Sequence, residues 1–390
     1  MLRKILLALT LLSLPVLPPV AQVRAETPTI TVSKSDSIAL ALTPISGSEG
    51  ELVTSVLRND LSLAGYFNLV SGGQPGLTVS GSDSGGVTSG RVTDFSGGTV
   101  LQRQYRGDAR QRAHAFARDI IETLTGNPGL PGSRIAFVAT RTGRKEIYTA
   151  DYDGSNVRQL THDGNISVAP ALSADGRRLA YTGYLKGYAD IYTIELGSGA
   201  RRRVVKFPGT NSGATWSPDG SRLACTVSRD GNPELYIVSA SGSGAQRLTH
   251  TSGVESSPSW SPDGQEIVYA ADNGGAPRLY RISANGGRPR PVASGYRFTT
   301  EPDWSPDGKK IAFNLREGGG FRVAVHDLAS GQTQTLSSAG SNAQNPVWGP
   351  DSRHLLFTDG PNLVMIDSRT GRRTTILDGL GAISEPAWSR

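Results

Sequence analysis

The pentapeptide Trp-Ser-Pro-Asp-Gly occurs three times, at 216–220, 260–264 and 304–308. Each copy reads as a hairpin turn. Proline pre-sets φ at the first central position, aspartate suits the second, and glycine takes the left-handed conformation that follows. Looser copies stand at Leu172-Ser173-Ala174-Asp175-Gly176 and Trp348-Gly349-Pro350-Asp351-Ser352, and a sixth begins at Trp388-Ser389-Arg390. The second residues of the copies are 173, 217, 261, 305, 349 and 389, so the step is 44 and the last step is 40.

Other positions keep the same beat. One series is Phe137, Tyr181, Cys225, Tyr269, Phe313 and Phe357. A second is Tyr148, Tyr192, Tyr236 and Tyr280, then Ala324 and Val364. A third is Leu160, Val204, Leu248, Val292, Leu336 and Ile376. Short strands repeating every 40–45 residues are the signature of β-propeller blades. The expected fold is therefore mainly β, a six-bladed β-propeller over residues 131–390. The copy beginning at Arg134 lacks its Trp-containing strand. The strand ending at Trp388 is expected to complete it, closing the ring and removing two open sheet edges.

Residues 26–130 have a different pattern and predict a small α/β domain. Ile38 to Thr43 reads as a strand. Ser48, with Glu51 three residues on, reads as a capping box opening a helix whose apolar stripe is Val53, Val56, Leu57 and Leu61. Phe67 to Val70 is a strand. The Gly/Ser-rich stretch 71–98 is expected to hold two short strands, near 77–79 and 91–93, followed by a strand over 101–105. Asp108 caps a second helix carrying Ala113, Phe116, Ile120, Ile121 and Leu124, which Gly126 and Pro128 end. Residues 129–133 read as the linker. The arginines Arg103, Arg106, Arg110, Arg112 and Arg118 around that helix read as a solvated face, because residues 26–133 carry 8 basic and 10 acidic side chains.

Residues 1–25 read as a cleaved secretory signal peptide. Arg3 and Lys4 form the positive start, Ile5 to Val16 the apolar run, and Val23-Arg24-Ala25 the cleavage site. The run is short of the roughly 20 residues a spanning helix needs. Cleavage would take the formal charge from +6 to +3, which argues against nucleic acid as the main partner. The one cysteine, Cys225, cannot form an internal disulfide and reads as a core filler.

No catalytic constellation can be assembled from the sequence. There is no Gly-x-Ser-x-Gly elbow and no His-Glu-x-x-His, and the five histidines are far apart in sequence. Asp219, Asp263 and Asp307 belong to turns and read as structural, not as metal ligands. No cofactor or metal is expected. The segments before each Trp read as long polar connections ringing one mouth of the channel, and loops of that kind carry binding. They contribute Thr210, Asn211, Ser212, Val254, Glu255, Ser256, Phe298, Thr299, Thr300, Glu301, Ser341, Asn342 and Ala343.

The signal peptide, the small α/β domain and blades with "IAF", "EIY", "LT" and "WSPDG" together resemble the TolB family of the Tol-Pal envelope system. Ser37 to Leu40, the Glu51 helix and Pro386 to Ser389 resemble the family's first strand, first helix and terminus. The resemblance implies a non-enzymatic periplasmic scaffold supporting outer-membrane constriction during division and envelope integrity. It implies two partners, the lipoprotein Pal and the inner-membrane protein TolA, and leaves room for other outer-membrane proteins. It places Thr210, Asn211, Glu255, Ser256, Thr299, Thr300 and Glu301 on the Pal face. It places Glu26, Thr29, Ile30 and Val32 in the N-terminal segment that meets TolA. Thr210 stands where the family carries His, and the middle of the α/β domain, 71–98, departs from the family pattern. The rival readings are a paralogue serving a different partner, and a propeller related to those of prolyl oligopeptidase-type hydrolases but lacking catalytic residues.

Overall fold

In the computed structural model, which describes residues 37–71, 75–293, 295–338 and 340–390, the 44-residue beat becomes six four-stranded antiparallel sheets. Blade 2 shows the plan. Its strands are Ser167–Leu172, Arg178–Gly183, Asp190–Glu195 and Arg201–Val205, ordered from the channel outward. The first strand lines the channel and ends in the Trp or its equivalent.

Blade 1 is built from both ends of the propeller sequence. Ile383–Trp388 pairs antiparallel with Arg134–Ala139, registering Trp388 on Ile135 and Ile383 on Ala139. The expected closure is therefore present. Ser389 adds to it, its Oγ accepting from the Arg134 N–H at 2.9 Å.

The turn word works as its residues dictate. Ser217 Oγ donates to Asp219 at 2.5 Å and accepts from the Arg222 N–H at 3.0 Å. Ser261 and Ser305 do the same with Asp263 and Asp307. Gly220, Gly264 and Gly308 all have positive φ. The Ser217 and Ser221 hydroxyls on Asp219 pull its carboxyl down to about 2. The turn aspartates are committed to the backbone, which is why they are structural.

Tryptophans fasten blade to blade. The Trp216 indole N–H donates to the Ala171 carbonyl and that of Trp260 to the Thr215 carbonyl, each one blade back. Arg178 lies over the Trp216 ring and Arg222 over the Trp260 ring. Cys225 is fully buried, and burial alone pushes its thiol up to about 12, as a core filler requires.

The α/β domain is a sheet of Phe67–Val70, Ile38–Leu42, Leu77–Ser84, Val87–Asp94 and Thr99–Arg106, in that spatial order. Helices α1 (Gly50–Leu63) and α2 (Ala109–Thr125) supply its other apolar face. The Gly/Ser-rich stretch thus forms two eight-residue strands around a Gly85-Gly86 turn, longer than expected.

Two local expectations are corrected. Asp108 caps α2 through a complete capping box with Gln111, and Gly126 ends it left-handed, as read. Helix α1 instead has Glu49 at its N-cap with no side-chain cap. Glu51 then sits too early to close a box, and the Glu49 carboxylate reaches Arg112 at 2.6 Å instead. Second, the arginines of α2 are not one solvated face. Arg112 is only 1% exposed and bonds Asp83, Thr88, Glu49 and the Gly107 carbonyl. Burying a guanidinium is tolerable only because those acceptors surround it.

The domain packs on the turn side of the propeller. Arg353 donates to the Gly65 carbonyl at 2.8 Å, stacks on Tyr66 and pairs with Asp367. Arg110 of α2 bonds Asp153 and Ser155 of blade 1. Tyr152 reaches Asp60 of α1. The opposite mouth carries none of these contacts.

Candidate partner-binding mouth of the propeller

The channel is a cavity of ≈ 430 Å³ lined by the first strands of all six blades. Each of those strands carries a bulge near its middle. The residue there is left-handed in every blade: Ala169, Gly213, Ser257, Glu301, Asn345 and Glu385, with φ between 50° and 60°. Left-handed backbone is cheap for Gly and Asn and costs other L-residues about 1–2 kcal/mol. The cost persists because the surrounding ladder determines the backbone. A sequence signal existed: in five blades the next residue is proline, two before the end of the strand. Proline has no N–H to leave unpaired on the channel-facing edge of a blade.

Most residues of the segments expected to be polar loops are the beginnings of these channel strands, Asn211–Trp216, Val254–Trp260, Thr299–Trp304 and Ala343–Trp348, while Thr210, Phe298, Ser341 and Asn342 do lie in the connections before them. The expectation of connections is corrected for the residues inside the strands. The reason is the bulge, which breaks the strict alternation by which a strand is recognised. All begin at the same mouth, opposite the α/β domain.

The predicted residues divide into two groups. Thr210 is exposed, and its backbone brackets Ser228 through the Thr210 N–H and carbonyl. Ser256, Thr300 and Glu301 are half-buried. Asn211, Glu255 and Thr299 are buried, at 0%, 0% and 1% exposure, and present no side chain to a partner. Asn211 is a clamp between blades, donating to the Phe207 carbonyl at 2.8 Å and to that of Ala189. Glu255 accepts from the Thr251 hydroxyl at 2.7 Å. The four residues Glu26, Thr29, Ile30 and Val32 lie outside the described residues.

Glu301 and Glu385 both line the channel. Asn314 donates to Glu301, and Glu385 accepts from the Ala169 N–H at 2.6 Å. Burial, with the Glu385 charge added to it, raises the Glu301 carboxyl to about 7. Lower in the channel Asp303 is neutralised by Arg390 at 2.8 Å. The arrangement offers small polar groups and acids around an opening. Among the described residues it sets up no nucleophile, base and oxyanion-donor array.

Six blades closed by the last strand, with a small α/β domain on the turn side, define a two-domain β-propeller protein. The family described as "TolB beta propeller domain" matches residues 121–390, and the chain belongs to that family. The crystal structure of TolB from Acinetobacter baumannii superposes with a TM-score of 0.82 at 25% identity, covering 91% of this chain and 97% of that one. A putative TolB from Agrobacterium tumefaciens shares the fold at 19% identity, TM-score 0.52, over 64% of this chain and 90% of that one. In sequence, a "Protein TolB homolog" of Chlorobium chlorochromatii is 33% identical over 40% of this chain and 44% of its own length. The "Tol-Pal system protein TolB" of Syntrophotalea carbinolica is 33% identical over 45% and 49%. The chain thus spans less than half the length of these curated relatives in each match. Among the described residues no helix is long and apolar enough to cross a membrane.

Proposed function

We propose that this protein is a periplasmic scaffold of a Tol-Pal system, holding a lipoprotein of the Pal type at the free mouth of the propeller. The supporting observation is the placement of that mouth. Thr210, Ser256, Thr300 and Glu301 ring it, away from the α/β domain that covers part of the turn side. Buried Asn211, Glu255 and Thr299 hold the rim from beneath. The N-terminal segment with Glu26, Thr29, Ile30 and Val32 would meet TolA. The role is to bring envelope partners together during division, without catalysis of its own.

The test is binding to a purified Pal-type domain. Thr210→Arg, Ser256→Arg and Thr300→Arg should weaken the complex at least tenfold, a loss of about 1.4 kcal/mol, with the melting temperature nearly unchanged. Lys309→Glu on the turn side should leave affinity intact. An equal loss from Lys309→Glu would refute the assignment. Removing residues 26–37 should abolish TolA binding and spare Pal binding, and full TolA affinity in that deletion would refute the second half.

A further inference from the structure

Two glutamates meet in the wall of the free mouth. Glu234 begins the third strand of blade 3 and Glu255 lies at the start of the channel strand of blade 4. Both are 0% exposed. Glu234 Oε1 accepts from Arg247 at 2.8 Å, from the Thr251 N–H at 2.8 Å and from Asn232 at 3.2 Å. Glu255 Oε1 accepts from the Thr251 hydroxyl. The Oε2 atom of each is buried without a partner, and Thr251 bridges the two carboxyls, its N–H on Glu234 and its hydroxyl on Glu255. Ionised carboxylates only accept. One proton placed between the two carboxyls would satisfy both orphaned acceptors.

The repeat contains its own control. One blade back, 44 residues earlier, Glu234 corresponds to Asp190, Arg247 to Arg203 and Glu255 to Asn211. There the acid pairs with Arg203 at 2.6 Å and the facing group is a neutral amide whose Nδ2 donates toward Asp190 at 3.4 Å. An amide supplies the donor in one blade junction. At the next junction only a protonated carboxyl can.

We propose that Glu234 and Glu255 share a single proton, and that this proton holds the Thr251–Ser256 rim of the mouth in place. Around the pair stand one cation, Arg247, and the acid Asp230 that Arg247 also approaches at 3.7 Å. Thr249 and Thr251 add hydroxyls. The Tyr269 hydroxyl of blade 4 is raised by burial and, after it, by the charges of both glutamates. One guanidinium cannot balance two buried carboxylates. Burial, then Glu234, keeps the Glu255 carboxyl up at about 7, while Thr249, Arg247 and Glu255 hold Glu234 down against its own burial. When the proton leaves, two like charges repel in a dry site, and the loop that Thr251 ties to both is strained by their separation. The consequence for a partner rests on the mouth being the binding face; the proton itself does not.

The experiment is amide hydrogen exchange on the whole protein at pH 6 and pH 8.5, corrected for intrinsic rates. Residues 249–256 of the wild type should lose about tenfold protection at the higher pH, the equivalent of one pKa unit. Glu255→Gln, which carries its own donor, should keep protection at both values, and its infrared spectrum should lack the protonated-carboxyl band of the wild type. Glu234→Gln should also flatten the response. A wild type without pH response in this segment, or a Glu255→Gln protein that responds as the wild type does, would overturn the proposal. Neither readout uses a partner, so a failure of Pal-type binding would refute the functional reading and leave this one standing.

Discussion

The Tyr152 hydroxyl of blade 1 donates to Asp60 Oδ1 of α1 at 2.5 Å, across the boundary between the two domains. Both residues are 0% exposed. The other oxygen of Asp60 meets His114 Nδ1 of α2 at 2.7 Å. Arg110 of α2, bonded to Asp153 and Ser155 of blade 1, adds a second bridge across the same boundary. A buried carboxylate is tolerable only when hydrogen-bonded, so each domain completes a polar site that the other would leave unsatisfied.

Tyr152→Phe should therefore destabilise the α/β domain although the substitution is in the propeller. Leaving the Asp60 oxygen without its donor should cost about 1–3 kcal/mol. Urea unfolding monitored by exchange in α1 and α2 measures it. A double cycle with Asp60→Asn should show coupling between the two sites, and additive losses would show that they act independently.

The same site predicts a pH dependence. Burial pulls the His114 imidazole down, but the hydrogen bond and charge of Asp60 outweigh it, so the net shift is upward from 6.5. A raised imidazole contributes stability that is fully present below 6.5 and is lost as pH rises through its folded value. Burial, only partly offset by His114, raises Asp60 above 3.8. Contact between the domains should therefore weaken on the alkaline side. His114→Gln should flatten stability against pH above 6.5, measured as the melting temperature of the α/β domain. An unchanged slope would remove His114 from this role.

Ring closure depends on Trp388. It is 5% exposed, packs with Leu130 and Ile135, and its indole N–H donates to Ser133 Oγ at 2.9 Å. Trp388→Ala should cost about 3–5 kcal/mol. Because the last strand joins blades 6 and 1, protection should fall first in Arg134–Ala139 and Ala343–Trp348. Loss spread evenly over all blades would contradict closure as the weak point.

Gly242 and Gly187 share a φ near +85°, but their surroundings differ. A Cβ at Gly242 would lie 1.8 Å from the Val204 carbonyl oxygen of the neighbouring blade, whereas none of the atoms around Gly187 comes within 4 Å. Gly187→Ala should cost only the left-handed penalty of about 1–2 kcal/mol. Gly242→Ala should cost clearly more, since backbone must also move. Equal melting temperatures for the two variants would contradict the close packing of blades 2 and 3.

Much of the fold was legible because it is written locally. Trp216-Ser217-Pro218-Asp219-Gly220 determines its own turn through Ser217 and Asp219, and the 44-residue beat counts the blades. Asp108 and Gly126 bound α2 from within a few residues of it. Cys225 could be assigned to the core from the aromatic residues at its equivalent positions. Helix α1 was misread at its start because Glu49 is engaged by Arg112, a residue 63 positions away, which no local signal announces.

The number of blades, the turns that join their strands and the pairing of the last strand with the first follow from the order of residues alone. Those features depend on spacing and short-range hydrogen bonding. Which residues of the mouth are available is set by packing between blades. Thr210 and Asn211 are neighbours of similar polarity, yet one is exposed and the other fully buried, because blade 2 closes over Asn211. Only the closed ring sets Glu255 against Glu234, and only domain packing sets Tyr152 against Asp60. Burial by a neighbouring sheet or domain turns an ordinary polar side chain into a costly one, and that cost depends on what surrounds it in space.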